Sequence, residues 1–250
     1  MTVPDTMVLE VEHLTKSFGV RVLDELSLSV GAGEALGIVG PNGAGKTTLI
    51  DVVAGDLRPD GGTVRFAGRD ITRDRADRRC RAGLARTAQV PRPFEQMTVF
   101  ENVLCVMERS ALPWQPGGRA AAGARRERAD ATIAQVGLTA WRDARAIDLG
   151  YAEQKFLSLA RILVTDATLW LLDEPASGLD PASYDRFVKL VRGRLSDGIT
   201  ICLIEHNLDI VHGISDRIAF LDRGTVLAAG EPRAILNDPK LAAIYFGERR

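Results

Sequence analysis

The chain has 250 residues, enough for one sizeable α/β domain or a core with a smaller attached lobe, and its 46% hydrophobic and 26% charged content is ordinary for a globular protein. Lys and Arg number 32 against 33 Asp and Glu, a net charge of −1, which gives no bulk attraction to nucleic acid or anionic lipid, so no nucleic-acid partner is expected. Nowhere do roughly eighteen apolar residues run together, and residues 1–7 lack the basic start and apolar core of a signal peptide, so a membrane role has to come through a partner. Cys80, Cys105 and Cys202 make no CxxC pair and no zinc spacing; thiols in a reducing compartment are expected, with Cys202 a small buried hydrophobe.

In chain order, Val8-Leu9-Glu10-Val11-Glu12 and Leu26-Ser27-Leu28-Ser29-Val30 alternate with the period of half-buried antiparallel strands. Ala35-Leu36-Gly37-Ile38-Val39 is apolar on both faces, as a central parallel strand should be. A glycine-rich exit leads from it into a helix beginning near Lys46. Asp60-Gly61-Gly62 is a turn, followed by the strand-like Thr63-Val64-Arg65-Phe66. From about residue 100 to 161 strand-like runs are missing, residues 119–135 are Ala- and Arg-rich and helical, and Leu112-Pro113-Trp114-Gln115-Pro116-Gly117-Gly118 is a loop. A helical lobe inserted into a core is expected there. Two buried strands follow, Leu169-Trp170-Leu171-Leu172 and Thr200-Ile201-Cys202-Leu203-Ile204, separated by a helix over 184–195. Arg217-Ile218-Ala219-Phe220-Leu221 and Thr225-Val226-Leu227-Ala228-Ala229 form a hairpin through Asp222-Arg223-Gly224.

Gly40-Pro41-Asn42-Gly43-Ala44-Gly45-Lys46-Thr47 fits G-x-x-x-x-G-K-[ST], between a strand and a helix, which is the context that motif requires. Glycines let backbone N–H groups turn toward phosphate oxygens, and the helix N-terminus adds partial positive charge. Lys46 should reach the β- and γ-phosphates and the Thr47 hydroxyl should ligate Mg²⁺; Gly40, Asn42, Gly43, Ala44, Gly45 and Thr48 complete the expected nucleotide contacts. The strand at 169–172 ends in Asp173-Glu174, and ligands of parallel sheets gather at that edge. Asp173 is expected to hold Mg²⁺, and Glu174 to polarise the attacking water. The strand at 200–204 ends in Glu205-His206, where His206 can donate to a γ-phosphate. His13 and His212 have no such setting and are expected at the surface or in packing.

The phosphate loop, the Asp-Glu strand end, Ser177-Gly178-Leu179-Asp180 and the strand-end histidine, in this order, resemble an ABC-type ATPase over nearly the whole chain. The resemblance implies an α/β P-loop NTPase core, a mixed sheet with an N-terminal antiparallel β subdomain, plus an inserted α-helical subdomain. It covers one domain over 7–250, with the core at 7–95 and 164–250 and the helices at about 96–163. It also implies that Gln89 senses Mg²⁺ and the γ-phosphate, that Phe18 stacks on adenine, and that Asp180 crosses between two subunits. Leu149-Gly150-Tyr151-Ala152-Glu153-Gln154 stands where the family signature L-S-G-G-Q belongs. ATP and Mg²⁺ are the implied cofactors. The implied partners are a second ATPase subunit, transmembrane permease subunits and a solute-binding protein, at the cytoplasmic face of the membrane. Tyr151, the segment Met97-Thr98-Val99-Phe100-Glu101-Asn102-Val103, the segment Ile204-Glu205-His206-Asn207-Leu208 and the end Ile244-Tyr245-Phe246-Gly247-Glu248 resemble ATPases that import branched-chain amino acids, urea or short amides.

The signature departs from the family pattern: Gly150 replaces its serine and Ala152 its second glycine. A hydroxyl donor to the facing subunit's γ-phosphate is lost, worth about 1.5–3 kcal/mol if charge-assisted. A paralogous heterodimer is then favoured, with a homodimer or compensation by Glu153 and main-chain donors the alternative. Other readings stay open: a soluble ABC-type ATPase, a non-hydrolysing regulatory nucleotide-binding module, or a small-molecule kinase. A single compact cassette opposes the first, and Glu174 with His206 opposes the second. The Asp-Glu, S-G-L-D and His206 series is left unexplained by the third.

Overall fold

A computed structural model of the chain describes residues 6–109 and 118–246. Its elements run β1 Met7–Phe18, β2 Val20–Gly31, β3 Ala35–Val39, α1 Lys46–Ala54, β4 Gly61–Phe66, β5 Arg69–Asp70, α2 Ala76–Arg81, β6 Leu84–Thr87, α3 Val99–Arg109, α4 Gly118–Gln135, α5 Tyr151–Leu163, β7 Leu169–Asp173, α6 Pro181–Ser196, β8 Thr200–Ile204, α7 Leu208–Ile214, β9 Arg217–Asp222, β10 Thr225–Gly230, α8 Pro232–Leu236 and α9 Pro239–Phe246. The turn-rich loop over 112–117 and the last residues of the C-terminal segment, Gly247 and Glu248, lie outside the described residues.

The strands fall into two sheets. One is antiparallel, in the order β2-β1-β4-β5, and the other has the order β10-β9-β3-β8-β7-β6. In the larger sheet β9, β3, β8, β7 and β6 are parallel, and β10 closes the edge antiparallel to β9. The antiparallel strands are longer than the alternating runs suggested, because β1 and β2 continue past irregular registers to pair Phe18 with Val20.

Strands β3, β7 and β8 are buried along their whole length, which explains their unbroken apolar runs. Within them, alternate residues face opposite sides of the sheet. Leu36, Ile38, Leu169, Leu171, Cys202 and Ile204 pack with α1 and the antiparallel sheet. Trp170, Leu172, Ile201 and Leu203 pack on the other side with Phe156, Leu159, Phe187, Val191 and Ile210 of α5, α6 and α7. Between residues 99 and 163 the described elements are helices and two short 3-10 turns, Thr139–Trp141 and Ala146–Asp148, after which the chain returns to the sheet at β7.

All five parallel strands deliver their C-terminal ends to one edge. The strand β8 lies between β3 and β7, so the phosphate-loop strand and the acidic strand end are not neighbours, and the residues after β8 emerge between them.

Candidate active site

The loop after β3 has the backbone that its glycines permit. Gly40 has φ 151° and Gly45 φ 100°. A Cβ at 40 would lie 2.0 Å from the Leu221 carbonyl oxygen, and one at 45 would lie 2.8 Å from that of Val22, so neither position accepts a side chain. Gly45 is the N-cap of α1, which begins at Lys46 with no side-chain cap. The N–H groups of the first turn, Lys46, Thr47 and Thr48 among them, have no partner within their own helix and suit an anion. Asn42, Gly43 and Thr47 are exposed, and Ala44 is buried. The Lys46 ammonium, 7% exposed, folds back over the loop and donates to the carbonyls of Gly40 at 2.8 Å and Pro41 at 2.9 Å. Burial lowers its pKa, against the opposing fields of the Glu174 and Asp173 carboxylates.

At the end of β7, Glu174 takes φ 46°, a left-handed conformation uncommon for a residue with a side chain. Oε1 of Glu174 is 2.9 Å from His206 Nε2, and Oε2 accepts from Gln89 Nε2 at 3.0 Å. Three residues that follow β6, β7 and β8 thus meet at one carboxylate.

Asp173 is fully buried, and neither carboxylate oxygen has a hydrogen-bond partner. Burial pushes its pKa up to about 6, with the Arg86 guanidinium, 3.9 Å away, opposing that rise. An orphaned carboxylate at the ligand edge, together with the exposed hydroxyl of Thr47, fits a Mg²⁺ ion. Among the described residues no group of three or more His, Cys, Asp and Glu side chains is arranged to hold a metal alone.

Other expected positions stand apart from this cluster. Among the described residues, none of the hydrogen bonds made by Leu149, Gly150, Tyr151, Ala152 or Glu153 reaches the phosphate loop. Gly150 is the N-cap of α5, Tyr151 is 46% exposed, and Leu149 is buried. The Asp180 side chain caps α6, its Oδ1 accepting from Ala182 N at 3.0 Å and Ser183 N at 3.1 Å. Phe18 is 55% exposed at the end of β1, with the Lys16 ammonium 5.4 Å from its ring centre. An exposed ring in that place is available for stacking and is not a core aromatic. His13 is exposed and lies 3.2 Å from Glu25, and His212 is exposed on α7.

Three residues of this neighbourhood have no role assigned from the sequence. Arg86 bonds Asp51 at 2.7 Å and Asp56 at 2.5 Å, tying β6 to α1 and the turn after it. Glu205 is buried, accepts from Ala176 N at 2.7 Å, and has its pKa pushed up to about 7 by burial. Lys155 is 3% exposed and donates to the carbonyls of Gln89 and Glu174. The available clue to Lys155 was its place on the apolar face of α5, in line with Leu159 and Ile162.

The ABC transporter family model matches residues 23–177. The lipopolysaccharide export ATP-binding protein LptB of Acidithiobacillus ferridurans is 36% identical over 242 residues, covering 96% of this chain and 97% of that protein. The high-affinity branched-chain amino acid transport ATP-binding protein LivG of Salmonella typhimurium is 36% identical over 249 residues, covering 96% and 98%. Among solved structures, a nucleotide-free ATP-binding cassette from an ABC transporter superposes with a TM-score of 0.84 at 32% identity, covering 97% of this chain and all of that one. The ADP conformation of an ATP-binding cassette of an ABC transporter gives 0.83 at 33% identity, covering 97% and 99%. With its α/β P-loop fold, its phosphate loop and these relatives along nearly its whole length, the chain belongs to the ABC transporter family as an ATP-binding, ATP-hydrolysing cassette that energises transport.

Proposed function

We propose that the chain binds Mg²⁺·ATP at the edge formed by β3, β6, β7 and β8, and hydrolyses it with Glu174 as the residue that polarises the attacking water. The carboxylate of Glu174, held by both His206 and Gln89, is the observation that carries this reading. Lys46 and the N–H groups of 43–48 hold the phosphates. Thr47, Asp173 and Gln89 would hold Mg²⁺, which would neutralise the charge that develops on the phosphates. Two movements follow from the contacts present. Lys46 must leave the Gly40 and Pro41 carbonyls to reach phosphate, and His206 must exchange part of its contact with Glu174 for the γ-phosphate. Phe18 stacks on the adenine.

The working unit is a pair of ATPase subunits closed head to tail. Asp180 and the segment 149–153 serve the facing subunit's nucleotide, and the weakened signature at Gly150 and Ala152 favours a paralogous partner. The helices α3–α5 and the Gln89 segment transmit closure to transmembrane permease subunits, with the chain peripheral at the cytoplasmic face of the membrane. A small solute, a branched-chain amino acid, urea or an amide delivered by a solute-binding protein, is the cargo. The patterns at 97–103 and 204–208, and the C-terminal segment with Ile244 and Tyr245 on α9, support that choice. Equal identity to LptB supports lipopolysaccharide export as the second reading.

Glu174→Gln tests the chemistry. ATP binding should persist while turnover falls below detection, and a fully active variant removes Glu174 from its role. Reconstitution with the permease subunits tests the cargo. Stimulation of ATPase by a branched-chain amino acid, urea or amide supports import, whereas stimulation by lipopolysaccharide alone transfers the assignment to export.

A further inference from the structure

The first turns of α5 touch the hydrolytic turn at two places. The Tyr151 ring packs on Gly178, whose φ is 77° and where a Cβ would lie 3.1 Å from Tyr151 Cε1. One turn on, the Lys155 ammonium lies 5.3 Å from the centre of the same ring and reaches the segments that follow β6 and β7. There Nζ donates to the carbonyl of Gln89 at 3.0 Å and to the carbonyl of Glu174. These carbonyls belong to the two residues whose side chains also bond each other.

We propose that Lys155 is a positioning residue that ties the start of α5 to the main chain of Gln89 and Glu174, so that this end of the helix and the hydrolytic carboxylate move as one body.

Three physical points support the tie. An ammonium 3% exposed is expensive unless its protons are taken, and both carbonyls that take them lie on segments outside regular structure, the Glu174 oxygen shared with a turn bond from Ser177 N at 3.3 Å. Burial lowers the pKa of Lys155, and the fields of the Glu205, Glu174 and Asp173 carboxylates oppose that fall. Glu174 holds a left-handed φ of 46°, and a hydrogen bond to its own carbonyl is a direct way to keep that turn. The consequence for hydrolysis rests on the role given to Glu174 above: a shift of α5 caused by nucleotide on a facing subunit reaches that carboxylate without passing through the sheet.

Two measurements on the full chain decide it. Lys155→Met keeps the stem and drops the donors. In the nucleotide-free protein, amide hydrogen exchange over 88–92 and 174–178 should quicken by about tenfold, while β7 and the later turns of α5 keep their protection. With Mg²⁺·ATP, kcat should fall by about tenfold or more at a KM within about twofold, and Lys155→Arg, which retains donors, should recover most of the loss. Unchanged exchange in both segments overturns the proposal. So does loss of protection throughout β7 and α5, which marks a packing role, and so does Lys155→Met turnover equal to wild type. Should Lys155→Met not fold, Lys155→Arg and Lys155→Gln carry the same comparison: exchange equal to wild type in Arg and faster in Gln supports the tie, and equal exchange in the two overturns it. A wild-type chain that neither binds nor hydrolyses ATP defeats the role of Glu174 instead, and the exchange data still decide whether Lys155 makes the tie.

Discussion

His206 Nε2 lies 2.9 Å from Oε1 of Glu174, although the two residues are 32 apart in the chain and leave different strands. Gln89 occupies the other carboxylate oxygen, so the group assigned to polarise water is oriented from two sides before any nucleotide arrives. Orientation of this kind is what catalysis by positioning requires.

His206→Ala should therefore lower kcat by about 10²-fold or more, with the affinity for ATP changed only a few-fold, because the phosphate loop is untouched. Turnover and equilibrium nucleotide binding measured on the same preparation check this. Affinity falling in parallel with turnover would make His206 a binding residue.

Stability of the nucleotide-free chain should decline as pH rises through neutrality. Folding raises Asp173 from 3.8 to about 6 and Glu205 from 4.5 to about 7, burial being the main cause in both. A carboxyl whose folded pKa is raised binds its proton more tightly in the folded state. Its contribution is complete below the unfolded pKa near 4 and is lost as pH climbs through about 6 for Asp173 and about 7 for Glu205. Asp173→Asn should stabilise the nucleotide-free fold at pH 8 by on the order of 3 kcal/mol and flatten its pH dependence. The same change should remove the gain in ATP affinity that Mg²⁺ brings. Thermal melts between about pH 5 and pH 8, with and without Mg²⁺·ATP, test both statements.

Arg79 is 1% exposed, and its guanidinium closes the C-terminal end of α1 by donating to the carbonyls of Val52 and Val53 at 2.7 Å each, Asp74 at 2.9 Å and Thr72 at 3.1 Å. Arg79→Leu leaves these carbonyls without that donor, at a cost of about 3 kcal/mol or more. For a domain of this size the melting temperature should fall by roughly 6–12 °C. Arg79→Lys should recover part of the loss, since an ammonium reaches fewer of the four oxygens at once.

Restoring the family signature should act on the facing subunit. Gly150→Ser with Ala152→Gly returns a hydroxyl worth about 1.5–3 kcal/mol, a turnover gain of about tenfold to a hundredfold at the site it serves. A Cβ at 150 meets Glu153 Oε2 at 2.6 Å, so the gain requires that flexible carboxylate to swing aside. Adding Glu153→Gln should then raise turnover further. Steady-state ATPase of the paired subunits reads both steps, and no change in either variant would leave the departure from the signature without functional weight.

Much of the site is local chemistry and was legible along the chain. The glycine spacing before Lys46, the apolar runs ending in Asp173-Glu174 and in Glu205-His206, and the turn around Gly224 each report within a few residues, whereas Gly61 and Gly62, expected in a turn, begin β4, which pairs with β1. Local patterning determined the strand ends and the chemistry that they carry. Other elements are too short or too polar to announce themselves. β6 has four residues, one of them Arg86, and α2, α8 and α9 are brief. Only the tertiary structure decided that β8 enters between β3 and β7, which brings His206 to Glu174. It alone also revealed that Lys155 of an otherwise apolar helix face ends on the carbonyls of Gln89 and Glu174. The reason is physical: period and turn chemistry depend on neighbours in sequence, whereas strand order and the partners of a buried charge are chosen by long-range packing and by the need to satisfy every polar group removed from water.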